Sequence, residues 1–159
     1  MKKRFFILFF LILFVNACAK QQTQKQQIMQ NTVPTISAEN VPALTPEQVV
    51  VLYFQAWNNK QYRIMYSLIS DGFKQLEPTA KTFDDFELYM NSFFETASGL
   101  NIIESKEAYQ TEKEAGVNYK IKIINKDDTA SEFESAYTLK KKTNGWKLIH
   151  PYGENIDTS

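Results

Sequence analysis

Few side chains here are of a type that does chemistry. The 159 residues include one Cys and one His, so neither a pair of thiols nor an H-x-x-x-H pair exists to hold a metal. There is no Gly-rich phosphate loop and no G-x-S-x-G elbow. His150 is the one group with an ordinary pKa suited to proton transfer near neutrality, and Tyr119, Tyr137 and Tyr152 share its alternation pattern. It is the candidate catalytic residue, weighed against a structural histidine at a sheet face. No metal ligand set and no cofactor are expected.

Cys18, the other singular residue, stands at the end of an unusual segment. Three basic side chains in Met1–Arg4 precede an unbroken apolar run from Phe5 to Val15, followed by Asn16 and Ala17. This is the layout of an export signal. Eleven apolar residues fall short of the roughly 20 that span a bilayer. A single thiol in an exported chain forms no internal disulfide. Val15-Asn16-Ala17-Cys18 resembles the lipobox of bacterial lipoproteins, which implies cleavage before Cys18, diacylglycerol on its sulfur and an acyl group, such as palmitate, on its new amine. Two or three acyl chains hold a protein at a membrane where one does not. The resemblance places the protein in a bacterial cell envelope. Ala19, where enteric-type sorting uses Asp for inner-membrane retention, points to the outer membrane of a two-membrane cell.

Residues 1–17 therefore read as signal peptide and residues 18–44 as lipidated cysteine plus linker. The linker holds six Gln within Gln21–Gln30, two prolines and no aromatic residue, so it buries too little apolar surface to order itself. The balance of 18 basic and 18 acidic residues belongs to the whole precursor. Residues 45–159 carry 13 basic and 17 acidic side chains, an acidic balance that argues against nucleic acid as a partner.

The elements that must position His150 and the tyrosines lie in 45–159. Thr45-Pro46-Glu47-Gln48 is a capping box with Pro at the first helical position. Val49, Leu52, Tyr53, Ala56 and Trp57 then form one helical face, broken at Asn58-Asn59. Tyr62, Met65, Tyr66 and Ile69 mark a second helix, with Ser70-Asp71-Gly72 expected to end it. A third is expected from Thr82, with Phe83, Phe86, Tyr89, Met90, Phe93 and Ala97 on its face and Gly99 at its end. From Leu100 the period becomes two, and about four antiparallel strands follow.

Asn144-Gly145 signals a hairpin. Taken as its two central residues, it sets Leu139 opposite His150 and Tyr137 opposite Tyr152. Trp146, Leu148, His150 and Tyr152 then face the helices. Lys120 and Lys122 lie beside Glu132 and Glu134 on the other face. Leu100, Ile102 and Glu104 alternate with Ile103, which leaves the face of Glu104 open, and no Asp or Glu is assigned inward. Helices followed by strands give an α+β domain, with three helices on a curved sheet.

The stretches TPEQVVVLYFQAWNNKQYRIMYSLIS and YTLKKKTNGWKLI, in that order, resemble the nuclear-transport-factor-like superfamily, which includes ketosteroid isomerase and polyketide cyclases. Bacterial lipoproteins with a small domain of this type and no assigned activity look particularly similar. The resemblance implies a cone between sheet and helices, for which Tyr53, Trp57, Phe86, Met90, Tyr119, Tyr137, Trp146, His150 and Tyr152 are the pocket candidates. The same aromatics also suit a filled core. Three readings follow: an accessory module binding a small apolar ligand or an envelope protein, a small isomerase- or cyclase-like enzyme using His150 and a tyrosine, and a homodimer formed through the sheet.

Overall fold

The structure, a computed structural model, describes residues 43–149 and Pro151. Cys18, His150 and Tyr152 lie outside the described residues.

Helix α1 spans Pro46–Asn58, and its start is the expected capping box: the Thr45 side chain accepts from the Gln48 amide while Gln48 accepts from the Thr45 amide. Val50 and Phe54 are buried along with Val49, Leu52, Tyr53 and Ala56, so the buried face is wider than a single stripe. The helix ends in a Schellman arrangement. Lys60 takes φ 55, its amide donates to the Trp57 carbonyl, and the Gln61 amide donates to the Ala56 carbonyl at 2.7 Å.

Helix α2 follows at Tyr62–Leu68. Ser70-Asp71-Gly72 does not simply end it. Ser70 instead caps a further helix, α3 (Asp71–Leu76), by accepting from the Phe73 amide. Helix α4 covers Phe83–Ser92 behind the Thr82 cap. It stops before Phe93, which enters a short 3-10 turn, so the apolar face expected to run on to Ala97 is divided between helix, turn and strand. Phe86 and Met90 are buried, whereas Tyr89 is exposed. Gly99 is a strand residue, not a helix cap. A Cβ there would sit 3.0 Å from Asn58 Oδ1, the oxygen that accepts from the Leu100 amide and ties the end of α1 to the sheet.

Four antiparallel strands run in sequence order: β1 (Ala97–Gln110), β2 (Glu114–Asn125), β3 (Ala130–Lys142) and β4 (Gly145–Leu148). The domain is α+β, with helices followed by an open four-stranded sheet. The inner face carries Val117, Tyr119 and Ile121 of β2 with Tyr137 and Leu139 of β3, packed against α1 in one core. On the outer face Lys120 bridges Glu132 and Glu134, each at 2.9 Å.

Two registers differ from expectation. Lys142 pairs with Gly145 and Leu139 with Leu148, so Thr143-Asn144 forms the turn and Gly145 follows it at φ 102. Leu139 thus faces Leu148, not His150. The slip is two residues, so Trp146 and Leu148 stay on the inner face. In β1, the pairing skips Ile103 and then Ala108. The bulge at Ile103 turns Glu104 outward opposite Lys120 and brings Ser105 and Glu107 into register with inner-face Tyr119 and Val117.

The far edge of the sheet is covered. Ile69 forms a parallel bridge to Leu148, and the Ser70 amide donates to the Leu148 carbonyl. Lys147 is buried beside it and donates to the Ser67 carbonyl at 2.6 Å, with burial lowering its pKa.

Candidate functional site

Three of the expected pocket residues converge. Tyr119 and Tyr137 stack at 4.8 Å, and Tyr53 meets Tyr137 edge-on at 5.9 Å. Phe54 lies 4.8 Å from Tyr119 and 5.7 Å from Tyr137. Phe54 lies off the helical stripe of Val49, Tyr53 and Trp57 that the sequence pattern marks. The spacing of Val50 and Phe54 at i, i+4 carried the signal that the face was broader.

The hydroxyls of this cluster form a network. Ser135, directly across from Tyr119, and Tyr137, its diagonal neighbour, are both hydrogen-bonded to the Tyr119 hydroxyl. Burial raises the pKa of all three tyrosines, most clearly for Tyr53 and Tyr137, and Tyr119 is held back by its two hydrogen bonds. The phenols therefore stay neutral donors throughout the physiological range. Opposite Tyr119 on β1, the buried Ser105 Oγ has no hydrogen-bond partner.

Exposed side chains border the cluster. Phe133 is 6.4 Å from Tyr119, yet 52% exposed. Tyr89, also exposed, lies close enough to Tyr53 to add to the rise in its pKa. Glu107 is the acidic residue that the β1 bulge brings into inner-face register, and it is exposed.

The other pocket candidates go elsewhere. Phe86 packs at 5.3 Å on Tyr66 in the seam between α2 and α4. Trp57 donates to the Met90 carbonyl at 3.0 Å and rests 4.6 Å from Phe93. Trp146 is buried at the β3–β4 hairpin with Lys141 Nζ 4.9 Å from its ring. No group of metal-ligating side chains occurs among the described residues.

No protein-family model and no curated protein sequence matches the chain. Solved structures are similar to it. A SEC-C motif containing protein from Rhodopseudomonas palustris is 12% identical over 70% of this chain and 80% of that one, with a TM-score of 0.54. A ketosteroid isomerase-like protein from Erwinia carotovora atroseptica is 18% identical over 64% and 86%, with a TM-score of 0.46. A nuclear-transport-factor-2-like protein of unknown function from Burkholderia pseudomallei is 8% identical over 64% and 87%, with a TM-score of 0.45. At such identities the likeness concerns the fold alone, and the first of the three supports the α+β arrangement.

Proposed function

We propose that this is a lipid-anchored envelope protein whose single nuclear-transport-factor-like domain binds a small, uncharged, mainly apolar ligand bearing one acceptor oxygen, without catalysing a reaction on it. The anchor rests on Val15-Asn16-Ala17-Cys18 behind a short apolar run. The superfamily reading rests on the order of helices and strands and on a long sheet bent by bulges in β1.

The ligand reading rests on one observation: the hydroxyls of Tyr119, Tyr137 and Ser135 gather between buried rings and the exposed Phe133. A carbonyl or ether oxygen suits a neutral phenol donor there, and the surrounding aromatic rings suit an apolar body. A charged ligand would leave its charge desolvated among neutral phenols.

Native mass spectrometry of the purified protein tests for a retained molecule, and titration with the neutral dye Nile red tests the site directly. Tyr119→Phe removes the donor while keeping the ring, so dye affinity should fall about tenfold, the worth of one good hydrogen bond. Unchanged affinity would remove the support for this reading.

An enzyme remains the second reading because Glu107 comes into register on the face that carries Tyr119. A carboxylate there has the chemistry to move a proton on a ligand held by the phenol. Glu107→Gln separates the two readings: it spares dye binding in both and abolishes turnover only if the carboxylate acts as a base.

A further inference from the structure

The two ends of the sheet differ in charge, and the chain enters the domain at the basic one. Strand β4 lies beside only Leu139–Lys142 of β3, and α1 reaches from β1, where Asn58 holds the Leu100 amide, across to β4. Because its C-terminal end is held at Leu100, the start of α1 lies toward the end of the sheet where β3 turns into β4.

Two hairpin tips meet at that end. The Lys141 amide donates to the Lys113 carbonyl at 2.7 Å, so the β1–β2 turn and the β3–β4 turn lie side by side. Together they carry Lys113, Lys140, Lys141 and Lys142, with Glu112 and Glu114 in the first tip and Glu47 in the first turn of α1. Lys113 and Lys141 are exposed. At the opposite end, the β2–β3 turn carries Asp127 and Asp128 against Lys126. Hydrogen bonds from the Thr129 side chain and amide lower the Asp127 pKa, so that end keeps its negative charge in mildly acidic conditions.

We propose that the lysine-bearing end of the domain rests on anionic lipid headgroups of the membrane that holds Cys18. This inference depends on the lipid-anchor reading. An unstructured chain of about 25 residues, as the composition of residues 18–44 implies, would have an rms reach of about 25–30 Å, enough for the domain either to stand off or to settle on the surface. Juxtamembrane lysines are attracted within a Debye length of about 8 Å, and the acidic end is repelled. The charge polarity selects one orientation, with the β2–β3 turn pointing away.

The full chain, expressed so that its signal is processed, is reconstituted into vesicles containing phosphatidylglycerol. The sulfur of Cys18 is taken up in the diacylglyceryl thioether, so Asn144→Cys or Asp128→Cys supplies one thiol for a fluorophore, and a lipid with a nitroxide headgroup reports proximity. The Asn144 label should be quenched about threefold more than the Asp128 label. That difference should vanish on phosphatidylcholine vesicles, in about 1 M salt where screening cuts the Debye length to about 3 Å, and in a Lys113→Gln/Lys141→Gln variant. Equal quenching of the two labels, or a difference that survives on phosphatidylcholine, overturns the inference. Mass spectrometry of the same sample separates the causes. A Cys18 without lipid overturns the anchor and this inference together, and a lipid-modified Cys18 with equal quenching overturns this inference alone.

Discussion

Tyr119 acquires its character from neighbours on another strand. Its β-strand alternation was legible in the sequence, and so was the shared face with Tyr137. Ser135 shares the alternation of Phe133, Tyr137 and Leu139, which places it on that face, but its position directly across from Tyr119 depends on the strand register. Ser105 and Glu107 were hidden by the bulge at Ile103, which reverses the alternation of β1 without any proline or glycine to mark it.

The buried phenols carry a testable pH dependence. Their folded pKa values are raised above the ordinary value near 10, so below pH 10 both folded and unfolded chains hold these protons and the contribution to stability is complete. As pH rises past 10 the unfolded chain releases protons that the folded chain keeps, and stability falls. Urea unfolding from pH 9 to pH 11 should show this decline. Tyr137→Phe should lower stability at pH 9 by about 1 kcal/mol through the lost hydrogen bond. It should also make the decline above pH 10 shallower than in the unaltered protein, and an identical slope would mean that Tyr137 ionises normally.

At the scale of elements, starts were easier to read than ends. Thr45, Thr82 and their following residues state a helix start locally, in side chains that bond amides three positions on. Asn58-Asn59 marks the end of α1 as the sequence pattern implies, and its defining feature is the next residue, Lys60, in the left-handed region that favours glycine. That conformation costs a non-glycine residue about 1–2 kcal/mol, and the lysine recovers about 0.5–1 kcal/mol where its ammonium lies 4.7 Å from the Phe94 ring. Lys60→Gly should therefore stabilise the protein by about 0.5–1 kcal/mol, readable as a higher urea midpoint at unchanged slope. The hairpin was legible in kind but displaced in register, because Asn144-Gly145 also suits a turn in which glycine follows the two central residues.

For the whole molecule, the α+β order followed from a change of hydrophobic period near Leu100, which local residues state plainly. Which inner-face positions are sealed and which stay open depends on how far the helices extend over a sheet longer than they are, and alternation alone does not encode that. Val117 and Phe133 show the difference. Both point to the inner face, yet Val117 is fully buried and Phe133 is 52% exposed beside Tyr119. If the open end admits a ligand, the two residues contribute to different properties. Val117→Ala should cost about 2 kcal/mol in stability from lost burial and the cavity left behind. Phe133→Ala should change stability by less than about 0.5 kcal/mol, as an exposed substitution does. It should nevertheless weaken Nile red binding severalfold by removing apolar contact at the mouth. Measuring urea midpoint and dye affinity on both variants distinguishes an open site from a filled core. In a filled core, Phe133→Ala would leave dye binding as it was, and no affinity change would be separable from a change in folding.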